Sequence, residues 1–403
     1  MKVTIVGGGF GGVKTALELS EKSDVQVTLI TEMPHFQYYP ALYSAATGHS
    51  HLEAWVPLSR IFEDRPNVTI VIDSIAKIDP ASRTISSATA KTYHYDTLVL
   101  ALGSVTTYFG IKGLDQYSYG IKSVAEVNAF KRHLYEEMAN EHKFDKHYVV
   151  VGAGPTGVEL AAALVSYLHR LHKQFRISGG PKIHVDLIEA APRVLPRMSE
   201  AASKIVHKHL LDLGVKVHVG KAVQSQNAEA LMVSGKPITS QTVIWTSGVA
   251  NHPFYKANAE HFQLAPNGKV VVDEYMQANA GNVYVIGDNA ATPFTGLAQT
   301  ALHDANFIAN NLWRAHHGEP KKPYKAVKPP VVVPVGENWA IMEWGKIRLW
   351  GWLGSLIRRA ADFLGYHDYL PLGQALGVWR ASKVMDDDFQ SVPIQTRPTP
   401  KEK

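Results

Sequence analysis

Residues 3–6 (Val3-Thr4-Ile5-Val6) are a run of β-branched side chains, which favours an extended strand. Gly7-Gly8-Gly9-Phe10-Gly11-Gly12 follows, then Ala16, Leu17 and Leu19 at helical spacing and an alternating run over 25–30. This pattern predicts strand, glycine turn, helix and strand, one βαβ unit. It returns at 147–189. There Tyr148–Val151 leads into Gly152-Ala153-Gly154-Pro155-Thr156-Gly157, a long helix runs on through Tyr167 and His172, and a strand is expected over 183–188. Two such units predict an α/β chain with two dinucleotide-binding domains of similar build.

Short strands are expected over 68–72, 84–85 and 97–101, before Gly103, and again over 215–219, 242–245, 269–272 and 283–286. A helix is predicted from about 296 to 313. The stretch 316–330, with Gly318, Pro320, Pro323, Pro329 and Pro330, reads as a linker. Beyond it the pattern changes. In 347–364 the positions Leu349, Trp352, Leu353, Leu356, Ile357, Ala360, Phe363 and Leu364 recur at helical spacing, opposite Ser355, Arg358, Arg359 and Asp362. A second element is expected over 370–378, and the residues past 386 read as a polar, Pro-rich disordered tail.

Composition sharpens this picture. The chain has 403 residues, 45% of them hydrophobic and 19% charged, the balance of a globular protein. Its net charge is +5, and it contains no cysteine. The absence of cysteine excludes disulfide scaffolds, thiolate metal sites, iron–sulfur clusters and redox-active cysteine pairs. An apolar strand begins at residue 3, so no signal peptide is expected, and no apolar run is long enough for a transmembrane helix. The 19 histidines show no metal-ligand spacing, so no metal site is expected.

Gly7, Gly9 and Gly12 fit G-x-G-x-x-G between a strand and a helix. The first glycine allows the tight turn, the second lets the backbone approach a pyrophosphate, and the third lets helix and strand pack closely. The helix N-terminus, starting at Phe10 and Gly11, adds partial positive charge. The acid that normally binds the ribose would fall at Thr31, with Glu32 beside it as a substitute. Gly152, Gly154 and Gly157 form the second motif, with Pro155 and Thr156 opening its helix. The strand after that helix ends in Glu189, which would accept ribose hydroxyls and repel a 2′-phosphate, so NADH is expected over NADPH, with Arg193 close enough to soften the preference. Two nucleotide sites in one chain imply electron transfer, most commonly from a nicotinamide to a flavin.

Taken together, these residues resemble the two-dinucleotide-fold flavoproteins, over about residues 1–315. The run Asp96-Thr97-Leu98-Val99-Leu100-Ala101-Leu102-Gly103 looks like the segment that closes on the flavin nucleotide. The run Val283-Tyr284-Val285-Ile286-Gly287-Asp288 looks like the second flavin motif, whose acid holds the ribityl chain. The thiol-dependent branches of that family need cysteines this chain lacks. Of the rest, the chain most resembles the type II NADH:quinone oxidoreductases. Phe36-Gln37-Tyr38-Tyr39-Pro40-Ala41-Leu42-Tyr43 resembles their early flavin-contact segment, with Tyr39 and Pro40 at the cofactor. Glu159 stands where they place an acid near the flavin, and Ser247 and Gly248 lie in the turn beside the nicotinamide. Ala298 and Gln299 open the helix that caps the flavin and borders the quinone. The family has a second glutamine four residues after the first, and here that position is His303. On a helix Gln299 and His303 share a face, so both are expected at the acceptor.

The resemblance implies two nested Rossmann-like domains of glutathione-reductase type with a C-terminal amphipathic membrane-anchoring segment. FAD is assigned to 1–112 and 249–320, NADH to 113–248, membrane association and dimerisation to 321–390, and a disordered tail to 391–403. The implied catalytic residues are Glu159, Gln299 and His303. The implied acceptor is a membrane quinone, ubiquinone or menaquinone, and the chain is expected as a homodimer, peripheral on the cytoplasmic side of the cell membrane. Five of the eight tryptophans (Trp339, Trp344, Trp350, Trp352, Trp379), with Lys346, Arg348, Arg358 and Arg359, suit contact with anionic lipid. No helix-turn-helix or clustered basic arm points to nucleic acid. The alternative within the same fold is a soluble NADH-dependent reductase of a small ferredoxin- or rubredoxin-type carrier.

Overall fold

A computed structural model describes residues 1–139, 147–175 and 183–385. Two parallel sheets carry the chain. The first has the strand order Val283–Val285, Thr97–Leu100, Lys2–Val6, Gln26–Thr31, Val68–Ile72, so its members come from both sides of the second sheet in sequence. The second has the order Val215–Val219, Val185–Glu189, Tyr148–Val151, Thr242–Trp245. All four residues of Tyr148–Val151 are buried, as expected for a central strand covered on both faces. The chain passes between the sheets through an antiparallel pair, Ser104–Thr106 against Val249–Asn251.

Six helices position the site. Helix α1 (Phe10–Ser20) follows the first glycine turn, and α2 (Val124–Ala139) and α3 (Pro155–Phe175) flank the second sheet. Helix α4 (Ala298–His316) packs against α1, and α5 (Trp352–His367) and α6 (Leu372–Ala381) end the described chain. At Gly12 a Cβ would overlap the carbonyl oxygen of Gly7, and at Gly157 it would overlap that of Gly152. Both motifs therefore need their last glycine for helix and strand to touch.

Three expectations change. Val270 makes only isolated bridges, to Leu264 and Ala290, so 269–272 is not a strand, because its neighbours pair with it at single residues. The stretch 319–330 has neither helix nor strand but is anchored: Tyr324 N–H donates to the Glu274 carbonyl at 2.7 Å and its hydroxyl to Asp304 Oδ1 at 2.6 Å. The apolar run expected as one helix over 347–364 begins as a strand, Ile347–Gly351, in an antiparallel sheet with Ala340–Trp344 and Val331–Pro334. Gly351, at φ 76°, breaks the run and starts α5.

The C-terminal region is not a loose appendage. Ile341, Tyr366, Tyr369, Leu370 and Val378 belong to the main core, and Tyr369 donates to the Phe10 carbonyl at 3.1 Å. Yet α5 is oriented opposite to an ordinary surface helix. Its inward stripe is Gly354, Arg358, Asp362 and Tyr366, whereas Trp352 (69% exposed), Leu356 (59%) and Leu364 (60%) face outward. Trp344, Ile347, Trp350 and Leu372 are also exposed. No helix among the described residues is long and apolar enough to cross a membrane. The expected tail at 391–403 lies outside the described residues.

Candidate functional site

A cavity of about 880 Å³ opens at the C-terminal ends of the first sheet. Its wall is the first glycine turn, with Gly7, Gly9, Phe10 and Gly11 lining it, while Gly12 sits behind, against Gly7. Helix α1 begins there with no side-chain cap and no acid in its first turn. Its free N–H groups thus face the cavity, a ready anion cradle. Helix α4 likewise starts uncapped at Leu297, and Leu297 and Ala298 line the opposite wall. These two uncapped N-termini, with the close-packed glycines, fit a dinucleotide pyrophosphate and a polar ring edge.

The remaining lining residues come from separated segments. Ala101, Leu102 and Gly103 line the cavity at the end of their strand, and Gly287 and Asp288 at the end of Val283–Val285. Asn289, which the sequence did not single out, ties the two together. Its side chain accepts from Gly103 N–H at 2.8 Å and donates to Gly103 O at 2.6 Å, and Ser104 Oγ donates to Asp288 at 2.8 Å. Asp304 adds a second tie, accepting Gly287 N–H at 2.9 Å from inside α4. Burial raises the Asp304 pKa, against its hydrogen bonds.

At the far end, Thr31 is buried beneath Gly8, and Glu32 is exposed at the rim with Ser74 Oγ donating to it at 2.6 Å. Asp73 lines the same rim and accepts Tyr93 OH at 2.6 Å, which holds its pKa below the usual value. Two acids thus stand at this end of the cavity, and Asp73 carried no sequence signal because it follows an ordinary strand.

The second glycine motif forms the other cradle, with Gly152, Gly154 and Pro155 at the turn; Ser247 Oγ lies against Gly152, and Gly248 packs on Phe109. Glu189 accepts Ala153 N–H at 2.6 Å and Ala191 N–H at 2.8 Å, which fixes its carboxylate beside the turn. Arg193 is committed elsewhere. Its guanidinium donates to the carbonyls of Leu195, Pro196 and Met198, so it is turned away from Glu189. Thr156, the second residue of α3, lines the first cavity, so the two cradles meet there.

The matched family model is that of the pyridine nucleotide-disulphide oxidoreductases, over residues 1–305. The chain belongs to this family. It is 28% identical to the type II NADH:quinone oxidoreductase Ndh of Mycobacterium tuberculosis, over 91% of this chain and 85% of the relative. It is 26% identical to the type II NADH:quinone oxidoreductase of Staphylococcus aureus, over 86% and 90%. The structure of NDH2 from Plasmodium falciparum in complex with NADH has the same fold, with TM-score 0.83 at 17% identity, over 96% of this chain and 99% of that one.

Beside the cavity, where α3 and α5 meet, lies a buried ionic cluster. Glu159, in the second turn of α3, accepts from Arg358 Nη1 at 3.3 Å. Arg358 also donates to Asp362 at 2.8 Å and to the carbonyl of Pro40 at 2.8 Å, so Pro40 is held from outside the cavity rather than lining it. Tyr39, its neighbour, does line the cavity. Burial lifts the Glu159 pKa to about 8, although Arg358 pulls the other way. Glu53 is buried nearby, one carboxylate oxygen without a partner among the described residues, and burial lifts its pKa to about 8 as well. The cluster is one cation, Arg358, with Asp362 as its counter-ion and two carboxyls that hold protons at neutral pH.

Gln299 is exposed on the first turn of α4. His303 packs near the Tyr324 ring, with its Nε2 2.9 Å from the Lys325 carbonyl. The structure thus brings Glu159 and Pro40 together through Arg358, while His303 is engaged by the 319–330 stretch. Arg358 was read from the sequence as part of an outward polar face; its partner Glu159 is far away in sequence, so nothing local marked it.

Proposed function

We propose that this chain oxidises NADH through bound FAD and passes two electrons to a membrane quinone, ubiquinone or menaquinone, without moving protons across the membrane. FAD would be held by 1–112 and 249–320, NADH by 113–248, and the chain would sit as a peripheral protein on the cytoplasmic face, as a homodimer. FAD, when bound, would take electrons from the nicotinamide and release them to the acceptor, which needs no cysteine.

The residues do the rest. Glu189 receives the adenosine ribose, and Arg193, engaged with three carbonyls, does not offset its repulsion of a 2′-phosphate. The net reaction, NADH plus quinone plus one proton giving NAD and quinol, consumes a proton. Glu159, protonated at neutral pH, holds one beside the redox cavity, and Gln299 would orient the acceptor.

The observation that carries the quinone reading is the inverted α5: it presents Arg358 to Glu159 on one side and Trp352, Leu353, Leu356 and Leu364 to the outside on the other. An apolar acceptor dissolved in a bilayer would therefore meet the cluster where the helix lies on the lipid. The relatives' names support the same reading. The test is anaerobic. The flavin is reduced with NADH, then a soluble quinone or an oxidised carrier protein of ferredoxin type is added, and flavin reoxidation is followed at its visible band. Rapid reoxidation by quinone alone is expected. Reoxidation by the carrier protein and not by quinone would reverse the assignment.

A further inference from the structure

Lys122 is the residue whose placement the reading above leaves unused. It precedes α2 and is half-buried in the wall of the FAD cavity. Its backbone is fixed on both sides. Ser123 and Glu126 form a reciprocal capping box: Glu126 N–H donates to Ser123 Oγ at 3.2 Å, and Ser123 N–H to Glu126 Oε2 at 2.8 Å. The same carboxylate accepts Lys122 N–H at 2.7 Å, and the Gln37 side-chain amide donates to the Lys122 carbonyl. Gln37 is itself held by Trp55 Nε1 at 3.3 Å. The position is locked, and yet the ammonium at its end makes no hydrogen bond and no ion pair among the described residues.

Where Lys122 sits says what it meets. Among the described lining residues of the cavity, the segment 113–248 contributes Lys122, Thr156 and Arg197 only. Electron transfer between two cofactors needs ring against ring, so the end of the cavity where the NADH domain enters is the flavin-ring end, not the pyrophosphate or ribose end. Asp288 and Glu126 are the acids whose charges reach the ammonium; burial outweighs both and lowers its pKa. The ammonium is thus a charge carried on a fixed backbone, without a hydrogen-bond or ion-pair partner among the described residues.

We propose that Lys122 is a flavin ligand, its ammonium donating to a carbonyl on the polar edge of the isoalloxazine ring and stabilising the ring more in its reduced, negatively charged state. This rests on FAD binding and not on the identity of the acceptor. A cation fixed at that edge raises the two-electron potential of the bound flavin, because it interacts more strongly with the reduced ring.

The test is the midpoint potential of bound FAD at pH 7, by reductive titration against a redox dye, in wild type, K122M, K122Q and K122R. Removing the charge should weaken binding of reduced relative to oxidised FAD about tenfold, which lowers the potential by about 30 mV for a two-electron couple. K122R should stay within about a third of that shift. If K122M does not retain flavin, K122Q carries the same expectation. An unchanged potential in the retained variant overturns the proposal even if FAD content falls, since Lys122 would then serve the phosphates or the fold. An equal fall in K122R overturns it too. A wild-type protein without flavin overturns the FAD reading and this proposal together, whereas failure of quinone as acceptor leaves the potential shift standing.

Discussion

Replacing Arg358 by Met tests the buried cluster as a unit. The guanidinium makes three contacts, to Glu159, Asp362 and the Pro40 carbonyl, and its side chain is 11% exposed. Met fills much of the same volume, so the change is mainly electrostatic. At pH 8 it strands the Asp362 carboxylate, whose side chain is 25% exposed, and removes the donor to Glu159. Breaking a buried ion pair from one side costs about 3–5 kcal/mol, and the partial exposure of Asp362 puts this one near the lower bound, about 3 kcal/mol. Urea unfolding followed by far-ultraviolet circular dichroism at pH 8 reads the loss. A loss below about 1 kcal/mol would refute the cluster's electrostatic role.

Other outcomes follow from the same geometry. Glu159→Gln should slow quinone turnover about a hundredfold while leaving the visible flavin absorbance intact, as stopped-flow reoxidation would show. Glu53 and Glu159 have folded-state pKa values raised to about 8 from 4.5, so the native state binds more protons than the unfolded state between those limits. Stability should therefore fall as pH rises from about 5 to about 8, and E53Q or E159Q should flatten that slope in thermal scans; an identical slope in both variants would remove the assignment. The double substitution Leu356→Glu and Leu364→Glu, on the outward face of α5, should abolish binding to anionic vesicles by flotation while sparing NADH oxidation by a soluble dye. Glu189→Ala should raise KM for NADH about tenfold and narrow its advantage over NADPH, with kcat little changed.

The two glycine motifs were legible because they obey local rules. A turn, a close helix–strand contact and an uncapped N-terminus are set within six residues, so Gly7 to Gly12 and Gly152 to Gly157 could be read directly. Asn289 and Asp304 were not, since Asn289 is distant along the chain from its partner Gly103 and Asp304 reaches Gly287 from inside a helix. The C-terminal helix shows the limit more sharply. Periodicity found its apolar stripe but not its direction, because a hydrophobic stripe is equally consistent with facing a core or facing out. It also ran the helix through 347–351, where pairing with Ala340–Trp344 outweighs local helical spacing.

By itself, the sequence determined the two glycine-turn βαβ units, the absence of thiol chemistry and the place of Glu189 at the end of its strand, because each depends on residue type and short-range spacing. The tertiary structure alone decided which charges meet. It turned Arg358 inward to Glu159, committed Arg193 to three carbonyls, left the Lys122 ammonium in the cavity wall without a partner among the described residues and engaged His303 at Lys325. Electrostatic energy depends on distance and burial, and neither is written along the chain.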